Sequence, residues 1–215
     1  MFVLAFILAI GDSITYGGSS EPHGSGFVEI LQEHHEILNV GCPGSNAAVW
    51  RPAAGKTPCF GRGDIDYWDK LIIPTDKAII MLGTNDAAIG MPTWIYLVSL
   101  IQIANGLIDI GTPDVILMTP PPNPKFQDRL DSYVAGIPAL CAEIDGLRCG
   151  PDVYNLLDLE TDFASGNVHP NRYGHAKIAS ALHGYIVSPE PVTGPLVILG
   201  LAWLCIWARA RSKRV

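Results

Sequence analysis

Apolar residues fall along this chain in short runs, each closed by turn-forming residues. Positions 1–10 form one continuous run that stops at Gly11. Shorter runs occupy 37–40, 78–82, 115–119 and 153–157. Short apolar runs of this kind fit strands buried on both faces. A secretory leader is the other reading of 1–10. No basic stretch precedes that run and no cleavable spacer follows it, so the strand fits better. Segments of mixed polarity lie between the runs, at 26–35, 93–110, 127–145 and 171–186. These read as helices, with Thr93 a candidate N-cap, Gly111 a stop, and Gly136 and Pro138 interrupting the third. Strands alternating with helices predict an α/β domain around a mainly parallel sheet. Such sheets bind ligands beyond the carboxyl ends of their strands, so the loops after the runs are where chemistry is expected.

Composition narrows the function classes. With 215 residues, 48% hydrophobic and 16% charged, the chain is a single ordinary domain and far too apolar to be disordered. Its net charge is −7, although Arg209, Arg211, Lys213 and Arg214 crowd the C-terminus. An acidic body argues against nucleic acid as a partner, since phosphate contacts need a basic surface. The cysteines at 42, 59, 141, 149 and 205 form no C-x-x-C pair, which argues against a zinc ribbon or redox motif. Cys42–Cys59 and Cys141–Cys149 are the local pairings; buried thiols are the alternative, and an exported location would favour bridges.

Four post-strand segments carry candidate chemistry. Gly11-Asp12-Ser13 begins where the first run ends, and a serine there is exposed but needs a base to become a nucleophile. Gly41-Cys42-Pro43-Gly44 follows the second run, and Gly44 could offer an unobstructed backbone N–H to an oxyanion. Gly83-Thr84-Asn85-Asp86 follows the third run. An amide at Asn85 could donate to developing negative charge, a contribution of roughly 3 kcal/mol in a transition state. His169-Pro170-Asn171 opens the last helix and supplies a base. Asp12 and Asp86 are expected to hold their loops by local hydrogen bonds. His34 and His35 are expected in solvent, and His175 in packing or hydrogen bonding. Trp50, Phe60, Tyr67 and Trp68 could form a substrate wall near Gly44 or simply core.

Together these segments resemble the SGNH/GDSL hydrolase family, over residues 2–187. The matching positions are Ser13, Gly44, Asn85 and His169, in the family's order; Pro120-Pro121-Pro122 also looks like the family's loop after the fourth strand. The resemblance implies a flavodoxin-like three-layer α/β/α sandwich and ester hydrolysis with no metal or organic cofactor. Ser13 would attack the acyl carbon and His169 would shuttle the proton. The Ser13 N–H, the Gly44 N–H and the Asn85 side chain would hold the oxyanion. One departure stands out: the family's acid, three residues before the histidine, is here Gly166. Asp162, or next Asp158, could serve instead; a backbone carbonyl or Asn167 could orient the ring; or the site is degenerate and the protein a surface-anchored binder.

The C-terminus has its own pattern. Ser188-Pro189-Glu190-Pro191 breaks the last helix, an apolar stretch follows at 196–207, and the basic residues close the chain. A short apolar helix with a basic end reads as a membrane anchor with that end cytoplasmic. It also resembles a PEP-CTERM sorting signal, which implies processing by an exosortase and a cell-surface or exported location in a Gram-negative bacterium. The expected organisation is a hydrolase domain at 1–188 and a tail at 189–215. The expected substrate is a carboxylic ester, such as an O-acetyl group on a polysaccharide. A lipid or short-chain acyl ester, as for a lysophospholipase, is the alternative.

Overall fold

The first strand shows how the apolar runs are used. In the computed structural model, β1 (Phe6–Gly11) sends Ile7 and Ala9 into one hydrophobic core and Leu8 and Ile10 into another. This is the period-2 alternation of a pleated strand with both faces covered. The structure describes residues 6–18, 26–52, 54–59, 63–66, 68–69, 72–164 and 168–188. After β2 (Glu36–Asn39), an antiparallel hairpin of β3 (Lys56–Cys59) and β4 (Gly63–Asp66) stands apart from the main sheet. The main sheet is completed by β5 (Lys77–Met81), β6 (Asp114–Leu117) and β7 (Leu147–Cys149). Its order is β2-β1-β5-β6-β7, and every pairing is parallel.

Helices α1 (Ser13–Tyr16), α2 (Phe27–Gln32), α3 (Thr84–Ala88), α4 (Thr93–Asp109), α5 (Gln127–Glu143), α6 (Val153–Leu156) and α7 (Arg172–Val187) follow one another along the described residues. On one face of the sheet, α4 and α5 contribute Tyr96, Leu100, Ile103, Leu107, Tyr133 and Ile137 to a core with Leu8, Ile80 and Leu117. On the other, α2 and α7 bring Phe27, Leu31, Ile178 and Leu182 against Ile7, Ile79 and Ile116. Burying each such side chain contributes roughly 1.5–3 kcal/mol. The result is the expected flavodoxin-like three-layer sandwich. With the hairpin set aside, its strand order is the flavodoxin-like 2-1-3-4-5, whose switch point lies at β1.

Two local expectations are corrected. The run at 153–157 is not a strand: it forms α6, N-capped by Asp152, with Val153 buried in the core. The sheet's last strand is the shorter β7, where Leu147 pairs with Val115. A short, largely apolar run fits either element by pattern alone. The helix at 127–143 also runs through Gly136 and Pro138. Pro138 faces solvent on its outer side and Gly136 lies where Leu97 presses against the helix. The tail at 189–215, with its expected apolar helix, lies outside the described residues, as do Phe60, Tyr67, Gly166 and Asn167. Among the described residues no helix is long and apolar enough to cross a membrane.

Candidate active site

The site begins at the end of β1. Asp12 caps α1 by accepting the Ile14 N–H at 2.9 Å, which places Ser13 on the first helical turn. The loop after the neighbouring β2 is tied to this turn. Asn39 Nδ2 donates to the Thr15 carbonyl at 2.8 Å, and the Cys42 N–H donates to the Gly11 carbonyl at 2.9 Å. Cys42 is also bridged to Cys59 of the hairpin, while Cys141 is bridged to Cys149.

The oxyanion candidates sit on tight turns. The Ser45 N–H donates to the Cys42 carbonyl at 3.1 Å, closing a turn over Pro43 and Gly44. Gly44 has φ +81°, the value a type II turn requires at its third residue, and Pro43 suits the second. Nothing lies within 4 Å of the place where a Gly44 Cβ would stand, so this stretch of backbone is open to a ligand. Beyond β5, Gly83 has φ +134°, and a Cβ there would come within 2.9 Å of Pro120. Only glycine fits, and it turns the chain into α3, which carries Asn85. Asn85 Nδ2 donates to the Ser45 carbonyl at 2.8 Å. An amide nitrogen carries two hydrogens, so the second can serve an incoming oxygen.

His169 arrives from the far end of the chain. Its Nε2 lies 2.7 Å from Ser13 Oγ, a separation at which the neutral ring can take the hydroxyl proton. Burial holds the His169 imidazole below its ordinary pKa of 6.5, which favours that neutral form. Asp162 does not reach the ring. Its Oδ2 accepts from Lys177 Nζ at 2.6 Å and from the Asp158 N–H at 2.8 Å, and no hydrogen bond joins it to His169 among the described residues. Its backbone carbonyl accepts the Asn171 N–H at 2.7 Å. Asp162 therefore clamps the histidine loop to α7. A carboxylate already neutralised by an ammonium is poorly placed to support an imidazolium, so the expected acid role is corrected to a structural one.

Two more acids and a histidine complete the surroundings. Asp86 Oδ1 accepts the Ala47 N–H at 2.9 Å, and its buried Oδ2 has no hydrogen-bond partner. Burial pushes the Asp12 carboxyl up to about 7 and Asp86 up to about 6, with mutual repulsion adding to the Asp12 shift. His175 is fully buried. It stacks on Phe27, accepts the Phe27 N–H at Nδ1 (3.2 Å), and is pushed down to about 4, chiefly by burial. Trp50 is fully buried, so it belongs to the core and not to a substrate wall. His34 is exposed, while His35 Nε2 lies 2.9 Å from His183 Nδ1 on the surface. The Ser45 and Trp50 contacts had no sequence signal beyond proximity to Gly44.

The profile of the GDSL-like lipase/acylhydrolase family matches residues 9–177. No curated protein matches the chain. Among solved structures, a member of the lipolytic protein G-D-S-L family from Veillonella parvula is 24% identical, with a TM-score of 0.65, covering 86% of this chain and 99% of its own. The psychrotrophic esterase EstA from a Pseudoalteromonas species is 20% identical, with a TM-score of 0.56, over 85% of this chain and 96% of its own. The SGNH-hydrolase family esterase AlinE4 is 22% identical at a TM-score of 0.56, over 89% of this chain and all (100%) of its own. The family profile spans all four motif segments, from the strand before Ser13 to the helix after His169. This chain thus belongs to the GDSL-like lipase/acylhydrolase family of ester-hydrolysing enzymes.

Proposed function

We propose that the protein is a serine esterase whose acyl-enzyme forms on Ser13. The observation that carries this reading is the 2.7 Å approach of Ser13 Oγ to His169 Nε2, beside the open backbone at Gly44 and the amide of Asn85. In the first step Ser13 Oγ bonds to the acyl carbon and its proton passes to Nε2. The carbonyl oxygen becomes an oxyanion held by the Ser13 and Gly44 N–H groups and by Asn85 Nδ2. Collapse of the intermediate breaks the acyl carbon–alkoxide bond, and the alcohol leaves with the proton from Nε2. Water then attacks the acyl-enzyme by the same route and releases the acid. His169 performs these transfers without Asp162 as its partner.

The substrate we favour is an O-acetyl ester on a polysaccharide. Support comes from the resemblance of the tail at 189–215 to a sorting signal of exopolysaccharide-producing bacteria. The two disulfides agree with an exported protein, since such bridges persist in oxidising compartments. The same tail would serve as a membrane anchor and meet an exosortase. A second reading, a lipid or longer acyl ester, is favoured by the exposed Tyr16, Ile89 and Trp94, which lie close in sequence to Ser13 and Asn85. Hydrolysis of p-nitrophenyl esters from acetate to octanoate, with acetate release from acetylated polysaccharides, decides between them. Rates that fall with chain length support the acetyl reading, and rates that rise with it support the lipid reading. Absence of turnover on every ester, in folded protein, overturns the esterase.

Two further outcomes follow from the site. Asn85→Ala is expected to lower kcat about 100- to 1,000-fold with KM little changed, because the lost donor acts mainly on the transition state. The pH profile of kcat/KM should fall in acid as His169 takes up a proton, with the midpoint of that limb below 6.5. The base works as the neutral ring, and burial lowers the pH at which that ring takes up a proton. A midpoint above 6.5 would count against His169 as the base in this environment.

A further inference from the structure

Two of the groups that would hold the oxyanion, and the strand that leads to the third, meet at one residue that the mechanism itself does not use. Ser45 is almost fully buried. Its Oγ donates to the Gly11 carbonyl at 3.2 Å and accepts from Trp50 Nε1 at 3.0 Å. Its backbone N–H closes the turn that sets the φ of Gly44, and its carbonyl accepts Asn85 Nδ2 at 2.8 Å. Gly11 lies two residues before Ser13, on the strand that presents the nucleophile. Ser45 thus ties the Gly44 turn, the Asn85 amide and the nucleophile strand to one another. No other described residue bonds to all three.

We propose that Ser45, with Trp50 as its hydrogen-bond donor, is a positioning residue that sets the spacing of the oxyanion donors relative to Ser13. This rests on the esterase reading above. The Trp50 indole is fully buried between the sheet and α4, so its N–H is a fixed reference and the serine hydroxyl cannot rotate freely. The Ser45 hydroxyl relays that reference to the Gly11 carbonyl, while the Ser45 carbonyl fixes the plane of the Asn85 amide. The donors are then in place before a negative charge develops, which is where such groups act most strongly. Ser45 touches no reacting atom. Loss of its hydroxyl removes the Gly11 and Trp50 bonds while the backbone bonds to Asn85 and across the Gly44 turn remain. The effect should therefore appear as a shift of these donors against the nucleophile strand, and misplacement of donors by about 1 Å can cost about 100-fold in rate.

The test compares full-length wild type, Ser45→Ala, Trp50→Phe, the double variant and Ser13→Ala. Turnover of p-nitrophenyl acetate gives kcat and KM. A p-nitrophenyl phosphonate, whose phosphoryl oxygen must enter the same donors, gives a labelling rate and counts competent sites. Thermal unfolding gives stability separately. Expected is a fall of kcat per competent site of about 10- to 100-fold in Ser45→Ala, with KM within about 3-fold and the labelling rate falling in parallel. Trp50→Phe keeps an aromatic ring but is smaller and loses the donor, so a fall of about 3- to 10-fold is expected, with the cost of the buried void read separately from thermal unfolding. The double variant should be little worse than Ser45→Ala, because both act through one hydroxyl. A purely structural role would lower the melting temperature and leave kcat per competent site unchanged. That result, or an effect confined to KM, overturns the inference while the esterase stands. If Ser45→Ala does not fold, Trp50→Phe alone decides on the same criteria. Wild type with neither turnover nor labelling overturns the esterase reading and this inference together.

Discussion

Ser13→Ala is expected to lower kcat on simple esters by roughly 10⁶-fold while leaving the melting temperature close to that of the wild type. The size follows from chemistry. Alanine offers no atom to carry the acyl group, and the Oγ that approaches His169 Nε2 at 2.7 Å is removed. The lack of a stability penalty follows from position. Ser13 is only half-buried, and the cap that holds its helix is the bond from the Ile14 N–H to Asp12, which remains. His169→Ala should cost a similar factor. The double variant should be no worse than either single one, because nucleophile and base act as a unit. Rate assays and mass spectrometry of phosphonate-treated protein check this: wild type gains one adduct, and Ser13→Ala gains none. Residual turnover in Ser13→Ala within about tenfold of wild type would place the nucleophile elsewhere.

The second large effect is on stability and lies at the opposite end of the sheet. Asp114 begins β6 almost completely buried and accepts from both Arg148 Nε and Nη2 at 2.7 Å. Lys77, its cross-strand partner on β5, makes a second ion pair with it. Although burial by itself would raise the Asp114 pKa, the Arg148 and Lys77 bonds hold it below the ordinary 3.8. Asp114→Ala leaves two cations facing a gap between three strands. A loss of about 3–5 kcal/mol of unfolding free energy is expected, seen as an earlier urea midpoint with kcat of the folded fraction unchanged. The pH dependence has a definite sign. A carboxylate with a depressed native pKa stabilises above its unfolded pKa and ceases to do so as pH falls through the native value. The gap between wild type and variant should thus be full at neutral pH and close below 3.8. A gap that persists unchanged in strong acid would assign the loss to packing and not to charge.

The parts of the site that could be read from the chain are those whose geometry is local. Gly44 follows a proline in a four-residue turn. Ser13 follows an aspartate that caps the next backbone N–H but one, and Gly83 precedes a short helix. The Gly44 turn and the Asp12 cap need only their immediate neighbours, so residue type at fixed spacing was enough to place them; at Gly83 the residue type was legible, but the Pro120 contact that excludes a side chain was not. The cases that misled were equally physical. Residues 153–157 have the composition of a strand, but Asp152 caps a helical turn and the edge of β6 is taken by Leu147–Cys149. Asp162 stands at a plausible spacing before His169, but its carboxylate is captured by Lys177, one turn along a helix that only packs there after folding. The spacing of an acid says how far its side chain could reach and nothing about which cation lies nearer.

Burial of apolar runs, turn chemistry and the order of four short motifs are properties of the chain itself. They determined the α/β class, the strands that precede the site and the candidates Ser13, Gly44, Asn85 and His169. Only the tertiary structure decided which groups meet: the serine hydroxyl with an imidazole 156 positions away, the Asn85 amide with the Ser45 carbonyl, and Trp50 with the Ser45 hydroxyl. It also decided that Cys42 pairs with Cys59 and Cys141 with Cys149. The physical reason is the range of the forces involved. Hydrophobic burial is non-directional and shows in composition and periodicity. A hydrogen bond or an ion pair depends on the placement of two particular atoms to within a few tenths of an ångström, and packing of the sheet and its helices sets that placement.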